Sequence, residues 1–517
     1  MKNFFLFFFF ILNPTVYAQQ WEWAKQIPCS VNLSGVQILT DNVGNLYFKG
    51  SLDANGLFAG FNLNEGTFIA KFNSNGQVLW TKNIQGISKV KIDSKGILYI
   101  TGTFNDSLIL NPFSVYSHGG ADIYFGKINS SGQILLLKTF GGSNDDAGVG
   151  LDIDKDDEIY LTGMFHDSIA IGTINIKDTI GFNNFYVTCL DTSLNTKWVS
   201  TGNWNYAVGI DIAVDKNKNS FVWGKYADTT YMYSGGDFIS KFNSLGMKTY
   251  SDEFYSYGDL YNIEVNNSNV YLHGYGCNPQ FCTALLRKYD PLMNQIWAKY
   301  LGDGYDYFLS NGIPFENGNM IIAGGYGYQY EDSVQIDSVW ILKKNGKYSD
   351  LLVAKVDSNG NYLWFMTAGG NGGEWAEEVA LDKFGNCFVY GSITNYQGIA
   401  DTVIFDYDTL IGSGNQKQFF LAKINQPLIE VITAINEITE LFSVFPNPSS
   451  GIFTVNLKNK TVEAKISVYD VLGNCVLDEV FVKNNSLEIN LSNQPKGVYF
   501  IEIMSEEVQA VKKIVLQ

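Results

Sequence analysis

A short string ending in glycine returns seven times along this chain. It reads NLYFKG (45–50), ILYITG (97–102), EIYLTG (158–163), NSFVWG (219–224), NVYLHG (269–274), NMIIAG (319–324) and NCFVYG (386–391). The copies follow acidic or turn-forming runs such as TDNVG, KIDSKG, DIDKDD, AVDKNK and ALDKFG. A second element trails each copy: TFIAKFN, DIYFGKIN, NFYVTCLD, DFISKFN, ALLRKYD, LLVAKVD and FFLAKIN. Its lysine is Lys71, Lys127, Lys241, Lys288, Lys355 or Lys423, with Cys189 in the third copy. Nine positions later, across turns such as NSNG and DSNG, stands Trp80, Leu136, Trp198, Tyr250, Trp297 or Trp364. A constant spacing through a turn implies a hairpin of fixed register, because a slip of one residue would turn every side chain to the wrong face.

Each unit therefore predicts four short strands: an inner one ending in the acidic turn, the Y-x-x-G strand, the lysine strand and the tryptophan strand. Four-stranded units at roughly 50-residue periods predict an all-β chain folded as a β-propeller. The seventh lysine strand, FFLAKINQP, has no tryptophan strand after it. WEWAKQI (21–27) supplies one from the other end, since Trp23-Ala24-Lys25 matches Trp297-Ala298-Lys299. The expectation is seven blades, the last built from both ends of the domain, so that no edge stays open.

The stretch LKTFGGSNDDAGVGLDIDKDDEIYLTG (137–163) resembles the seven-bladed β-propeller repeats of secreted bacterial proteins. The shared pattern is a G-G turn, an acid, an inner strand ending in Asp, then Y-x-x-G. AGGNGGEWAEEVALDKFGNCFVYG (368–391) fits it with the same loop length, and the likeness extends over roughly residues 21–427.

The N-terminal run MKNFFLFFFFILNPTVYAQQ has Lys2, an apolar stretch and a small residue at Ala18. This predicts a secretory signal (1–18) cut between Ala18 and Gln19, too short to span a bilayer. No later stretch approaches about 18 uninterrupted apolar residues, so no transmembrane segment is expected in the mature chain. Six cysteines form no C-x-x-C pair, against a zinc or thioredoxin-like site. Cys277 and Cys282 bracket four residues between two strand-like runs; an oxidising compartment would permit a disulfide there, and the sequence leaves this open. The other four cysteines read as isolated small core residues. Formal net charge is −17, which argues against nucleic acid or anionic membrane surfaces as partners.

After residue 427 comes a connector (428–440) and then a different pattern, FSVFPNPSSGIFTVNL, KISVYDVLGNCVL, SLEINLSNQPKGVYFIEI and KKIVLQ. Alternation and turn residues predict a small antiparallel, immunoglobulin-like β-sandwich over 441–517. Pro446, Asn447, Pro448 and Gly451, then Tyr469-Asp470 and Leu472-Gly473, Gly497-Val498-Tyr499, and Lys512-Lys513 resemble the type A C-terminal sorting domain of the type IX secretion system. That resemblance implies a Bacteroidota host and export through the periplasm. It also implies recognition by the outer-membrane translocon and its sortase, then release or surface attachment.

Chemistry is harder to locate. The histidines are only His118, His166 and His273, and the one arginine is Arg287. The arginine triad of the sialidases, which are also propellers, is therefore absent. No G-x-S-x-G, P-loop or dinucleotide fingerprint occurs, and no cofactor is expected. Loops from a tryptophan strand to the next inner strand carry aromatics beside acids: Trp204, Tyr206, Tyr305, Tyr307 and Trp375 with Asp146, Asp306 and Glu374. Such groups suit stacking on sugar rings plus hydrogen bonds to hydroxyls. The acids equally suit the turn chemistry of the repeat itself. Asp-Ser/Thr-apolar runs at Asp106, Asp167, Asp178, Asp332 and Asp401 resemble the O-glycosylation motif of Bacteroidota, or open strands. The acid-rich run LDIDKDDEIYLTG (151–163) reads as a repeated turn with extra acids rather than a calcium loop, since the sixth-position glycine and the twelfth-position glutamate are missing. The sequence thus favours a secreted or surface-displayed module binding glycans or proteins, over a carbohydrate-active enzyme using Asp or Glu on the loop face, or a purely structural surface component.

Overall fold

A computed structural model describes residues 20–178, 183–202, 206–227, 235–254, 260–277, 282–301, 307–315, 318–327, 333–336, 339–344, 348–394, 402–412, 417–425, 442–457, 464–470, 475–482, 486–504 and 509–517. The expected signal segment, its cleavage site at Ala18-Gln19, and the connector lie outside these residues. Every named element is a β-strand, and the chain divides into two compact units between Leu428 and Ile429.

The first unit holds seven four-stranded antiparallel sheets, propeller-like in strand order. The first comprises Leu33–Thr40, Leu46–Leu52, Gly66–Phe72 and Val78–Asn83. The second comprises Ile87–Ile92, Leu98–Phe104, Asp122–Ile128 and Ile134–Phe140; the third, Ala147–Ile153, Ile159–His166, Asn183–Leu190 and Thr196–Thr201. The fourth comprises Ala207–Val214, Ser220–Ala227, Gly235–Phe242 and Lys248–Phe254; the fifth, Leu260–Asn266, Asn269–Cys277, Cys282–Tyr289 and Gln295–Leu301. The sixth comprises Tyr307–Pro314, Met320–Tyr326, Asp350–Val356 and Tyr362–Ala368. In the seventh, Gly373–Leu381, Cys387–Thr394 and Gln418–Asn425 are completed by Gln20–Ile27 from the start of the chain. Trp23 pairs there with Lys423, as Trp297 pairs with Lys288.

The nine-residue spacing is that register. Tyr47, Lys71 and Trp80 stand in line across three strands, as do Tyr271, Lys288 and Trp297. Each lysine sits over the aromatic ring beside it, 4.8 Å from the centroid at Tyr47 and Tyr99 and 5.5 Å at Tyr271. The line then crosses to the next sheet. Lys71 and Trp80 both donate to the Ser130 carbonyl at 3.2 Å, and Lys288 and Trp297 converge on the Ser358 carbonyl at 2.9 and 3.1 Å. Lys127 reaches Thr192 and Trp198 reaches Ser244 in the same way, both at 3.1 Å. These acceptors all lie in the outer turn of the following sheet. The turn glycine lets the indole close in: a Cβ on Gly246, whose φ is +77°, would lie 2.5 Å from Trp198. Between the seventh sheet and the first, Trp23 packs on Gly76 and Lys25 donates to the Asn75 carbonyl.

Apolar cores lie between neighbouring sheets. Phe185 and Val187 of the third pack with Val222 and Phe238 of the fourth, and Phe388, Phe419 and Leu421 of the seventh pack with Phe48 and Phe68 of the first. Among the described residues five short hairpins, absent from the sequence reading, connect second and third strands; Ser107–Leu110 with Phe113–Tyr116 is one. Two of the Asp-Ser runs open such hairpins, with Asp106 and Asp167 at φ +55° and +62°. The hairpins lean on the connection entering their own sheet, through bridges Gly141–Ala170 and Gly369–Ile404.

The second unit has a three-stranded sheet (Phe442–Phe445, Ile452–Leu457, Ser486–Asn490) and a four-stranded one (Cys475–Val482, Ala464–Asp470, Gly497–Met504, Gln509–Leu516). Val444, Phe453, Val455 and Ile489 of the former share one core with Ile466, Val468, Ile501 and Ile514 of the latter.

The clasp between sheets makes a graded prediction. Trp198, 8% exposed, loses packing and its bond to Ser244 on replacement by alanine. Trp364, whose indole nitrogen has no partner among the described residues, loses packing alone. Trp198→Ala should cost about 3–5 kcal/mol, and Trp364→Ala about 1 kcal/mol less, in urea unfolding.

Candidate functional site

The register between inner and second strand shifts at one equivalent place in every sheet of the first unit. The shift falls just before Gln37, Lys89, Gly150, Asp211, Asn262, Asn311 and Glu378. A bulge re-aims the side chain beside it, so each innermost strand presents one re-aimed residue. None of the seven is apolar, although their strands pack between cores. Each pairs with the residue preceding the repeat glycine, for example Lys49, His273 and Tyr390. The innermost strands also touch in chain order, and those of the first and seventh sheets touch each other.

Some of these side chains interact between sheets. Lys89 of the second sheet reaches Asp211 of the fourth at 2.9 Å, passing the third sheet at Gly150. A Cβ on Gly150 would meet Thr162 at 2.7 Å and the Asp211 backbone at 3.0 Å, which explains the glycine. Gln37 bonds Val90 both ways, donating to its carbonyl at 2.9 Å and accepting from its amide at 3.1 Å. Asp152 pairs with Lys91 at 3.1 Å and accepts from the Val214 amide at 2.8 Å. Asn311 donates to Glu378, and Asn262 donates to Glu264 at 3.2 Å. Burial, with the charge of Lys89, pushes the Lys49 ammonium down to about 8. Burial pushes the Glu378 carboxyl up to about 8 against the pull of Lys89, and holds His273 down to about 3.

The acid-rich run 151–163 is explained by its partners. Asp154 accepts from the Asp156 and Glu158 amides, both at 2.9 Å, and Asp41, Asp93, Asp215 and Asp382 do the same in their own turns. The extra acids hold lysines. Lys95 meets Asp157 at 2.6 Å, Lys197 meets Glu158 at 2.7 Å, and Lys218 of the fourth sheet spans Asp154, Asp156 and Glu158 at 3.4, 2.8 and 3.2 Å. Among the described residues no group of three or more His, Cys, Asp or Glu is placed to hold a metal ion.

Two loop acids singled out by sequence lie in tight turns. Asp146 accepts from the Gly142 amide at 2.5 Å and the His166 amide at 3.3 Å; Glu374 accepts from Gly370 at 3.1 Å. Both are fully buried. Trp375 packs against Gly325, while Tyr206 is 47% exposed. Trp204, Tyr305 and Asp306 lie outside the described residues, and of Tyr307 only the backbone is described. Cys277 and Cys282 are directly paired strand residues, their side chains likewise outside the description. Cys189 and Cys387 are buried, whereas Cys29 is only half-buried. The seven bulged positions were missed, yet they had a signal: each lies four residues before the end-of-strand turn residue, as Lys89 before Asp93 and Glu378 before Asp382.

In the tail, Asn447 binds the last strand, donating to the Lys513 carbonyl at 2.9 Å and accepting from the Val515 amide at 2.8 Å. Gly451 is held close to Ser492, where a Cβ would lie 2.3 Å away, and its carbonyl accepts from Leu491. Tyr499, paired with Asp470, donates to the Pro495 carbonyl at 2.6 Å four residues back, just before Gly497. Pro446 and Pro448 are exposed beside Asn447; Lys512 is half-buried and Lys513 exposed. Gly473 lies outside the described residues.

Residues 443–517 match the family model described as "Secretion system C-terminal sorting domain". No curated protein matches the chain. Among solved structures, an acylaminoacyl peptidase of Pyrococcus horikoshii is 12% identical with a TM-score of 0.41, covering 85% of this chain and 60% of its own. The chain thus spans less than two thirds of that protein. The phage phi92 endosialidase is 10% identical (TM-score 0.34, 95% of this chain and 87% of that one), and the polysaccharide lyase Uly1 is 10% identical (TM-score 0.32, 66% and 90%). Fold and tail together define a protein of β-propeller-like repeat sheets carrying a secretion sorting domain. The sorting domain is that of the type IX system, which indicates secretion or attachment at the cell surface. Among the described residues no helix is long and apolar enough to cross a membrane.

Asp146 generates a pH prediction. Burial raises its carboxyl from the ordinary 3.8 to about 7, against the opposing pull of the two amides. Between those values the folded chain binds a proton that the unfolded chain releases. This group therefore lowers stability as pH rises from about 4 to about 7 and has no further effect above. Asp146→Asn should flatten that part of the stability profile, measured as urea midpoints across the range.

Proposed function

We propose that residues 19–427 form a seven-bladed β-propeller, its ring closed by the N-terminal strand, that is exported by the type IX route and acts as a binding or adhesion module for glycans or proteins. The observation that carries this reading is the bulge repeated in all seven sheets beside a polar or glycine residue. A core-forming strand has no packing reason to keep such residues at one equivalent place. Closure is supported by the apolar core shared by the seventh and first sheets and by the contact of their innermost strands. Binding is preferred to turnover because the buried acids are engaged in turns and ion pairs. The immunoglobulin-like tail over 441–517, reached through the connector 428–440, is the part we assign to the translocon and its sortase.

The full mature chain should retain members of a glycan array or a surface-protein panel without releasing product. Reducing-sugar release abolished by a single Asp or Glu substitution would establish a carbohydrate-active enzyme instead. An inert chain in both assays would leave only a structural surface role. Deleting residues 443–517 should trap the protein inside the envelope, read by fractionating cells and medium.

A further inference from the structure

In four sheets of the first unit the short hairpin packs on the outer strand of its own sheet, at the residue after the tryptophan position. Leu137 shares a core with Leu108 and Leu110 of its hairpin, Val199 packs with Ile169 and Ile171, and Phe365 lies in one cluster with Ile341. Ala24 is buried in one core with Val403 and Leu410, and its amide donates to Asp408 of the same hairpin at 2.7 Å. The fourth and fifth sheets have no room for such a cover. Residues 228–234 and 278–281 alone join their paired second and third strands, where the shortest sister connection spans 53–65. Ser251 and Ala298, at the position covered elsewhere, are accordingly exposed.

The two bare strands differ in what they show. Thr249, Ser251 and Glu253 alternate along the exposed face of the fourth, as befits a surface left to solvent. The same face of the fifth carries Ile296, Ala298 and Tyr300, with Ile296 51% and Tyr300 44% exposed. In the turn that leads into this strand Leu292 is 75% exposed, where sister turns carry Asn75, Ser131 and Asn359. A contiguous apolar row on an uncovered strand marks an interaction surface.

We infer that the outer strand of the fifth sheet, Gln295–Leu301, docks an extended segment of another polypeptide, apolar at alternate residues. The repeat itself shows the occupant: the strands that cover sister sheets read SLIL, SIAI and TVIF. Alternate residues of such a segment would lie on Ile296, Ala298 and Tyr300, as Leu108 and Leu110 pack with Leu137. What the fifth sheet lacks in cis a partner supplies in trans, with the isoleucine and the tyrosine as anchors. A second copy of this chain is a poor occupant. Each copy would bring a net charge of −17 to the contact, and the hairpins already have their inner faces engaged in their own sheets. The same charge selects a neutral or basic segment. This surface is separate from the bulged inner strands and does not depend on the reading given for them.

The test uses the full mature chain and a synthetic peptide of residues 106–117, the hairpin of the second sheet. A disulfide between added terminal cysteines holds it closed, as the Ser117 amide bond to the Asp106 carbonyl does in the protein. The labelled peptide is titrated by fluorescence anisotropy beside a scrambled sequence. Saturable binding of the hairpin sequence alone is expected, weakened about tenfold by Ile296→Ser and by Tyr300→Ser, each the loss of one apolar anchor. Both side chains are exposed, so either variant serves if the other fails to fold. Leu79→Ser, at the position of Ile296 in the first sheet, should leave binding unchanged. Absence of saturable binding, equal binding of the scrambled peptide, or undiminished binding by the folded variants would overturn the inference. So would a chain that sediments as a dimer and becomes monomeric on Tyr300→Ser, which would give the face to a second copy. The glycan array reads the inner strands separately, so either proposal can fall while the other stands.

Discussion

The first unit depends on reaches from one sheet to the next: in the first and fifth sheets a lysine and an indole from neighbouring strands close on one turn carbonyl of the following sheet, and in the second, third and fourth one of the two donors does so alone. The lysine is steadied by the aromatic ring of its own sheet, and the indole lies flat on the glycine of the turn it binds. A hydrogen bond from a charged donor contributes about 1.5–3 kcal/mol and fixes direction as well as energy. Apolar cores alone would let neighbouring sheets slide, because hydrophobic contact is non-directional. The clasp sets the stagger. The pattern lapses at two places, where the indole nitrogens of Trp23 and Trp364 find no partner among the described residues.

With stagger fixed at the periphery, the innermost strands are forced together, and the bulges are the response. Ordinary strands would aim only into the two flanking cores. A shift of register re-aims one residue per strand, and Lys89 with Asp211 and Asn311 with Glu378 then meet across sheets. Charges brought so close together are tolerable only when paired, and the pairing runs between sheets, Lys89 to Asp211 and Lys91 to Asp152. The same crowding raises Glu378 and lowers Lys49 towards a common value near 8.

The periodic parts of this arrangement were legible in the sequence. The spacing from Lys71 to Trp80 is a strand register, and the match of Trp23-Ala24-Lys25 to Trp297-Ala298-Lys299 is a strand pairing. The short hairpins were not legible, because four-residue strands such as Ser107–Leu110 are shorter than any periodicity can declare. The candidate site was harder still. Aromatics beside acids pointed to the loops, but Asp146 and Glu374 cap backbone amides there. Gln37, Lys89 and Asn262 share no residue type, only a position, and a bulge has no composition of its own.

The third sheet shows which constraint the repeat obeys. Cys189 stands where the other sheets carry lysine, and burial pushes its thiol up to about 12, so it brings no charge to Asp154. In the first sheet the turn aspartate has that charge at hand, as Lys71 lies 3.6 Å from Asp41. Here Lys218 arrives from the fourth sheet, from a left-handed position (φ +65°) in its own turn, and Asp156 and Glu158 hold it in place. In these two sheets the turn aspartate meets a cation, whether or not a lysine stands at the repeat position. The acids that make 151–163 resemble a metal loop are the means by which a neighbouring sheet supplies it, so the run most suggestive of chemistry serves the joint between two sheets.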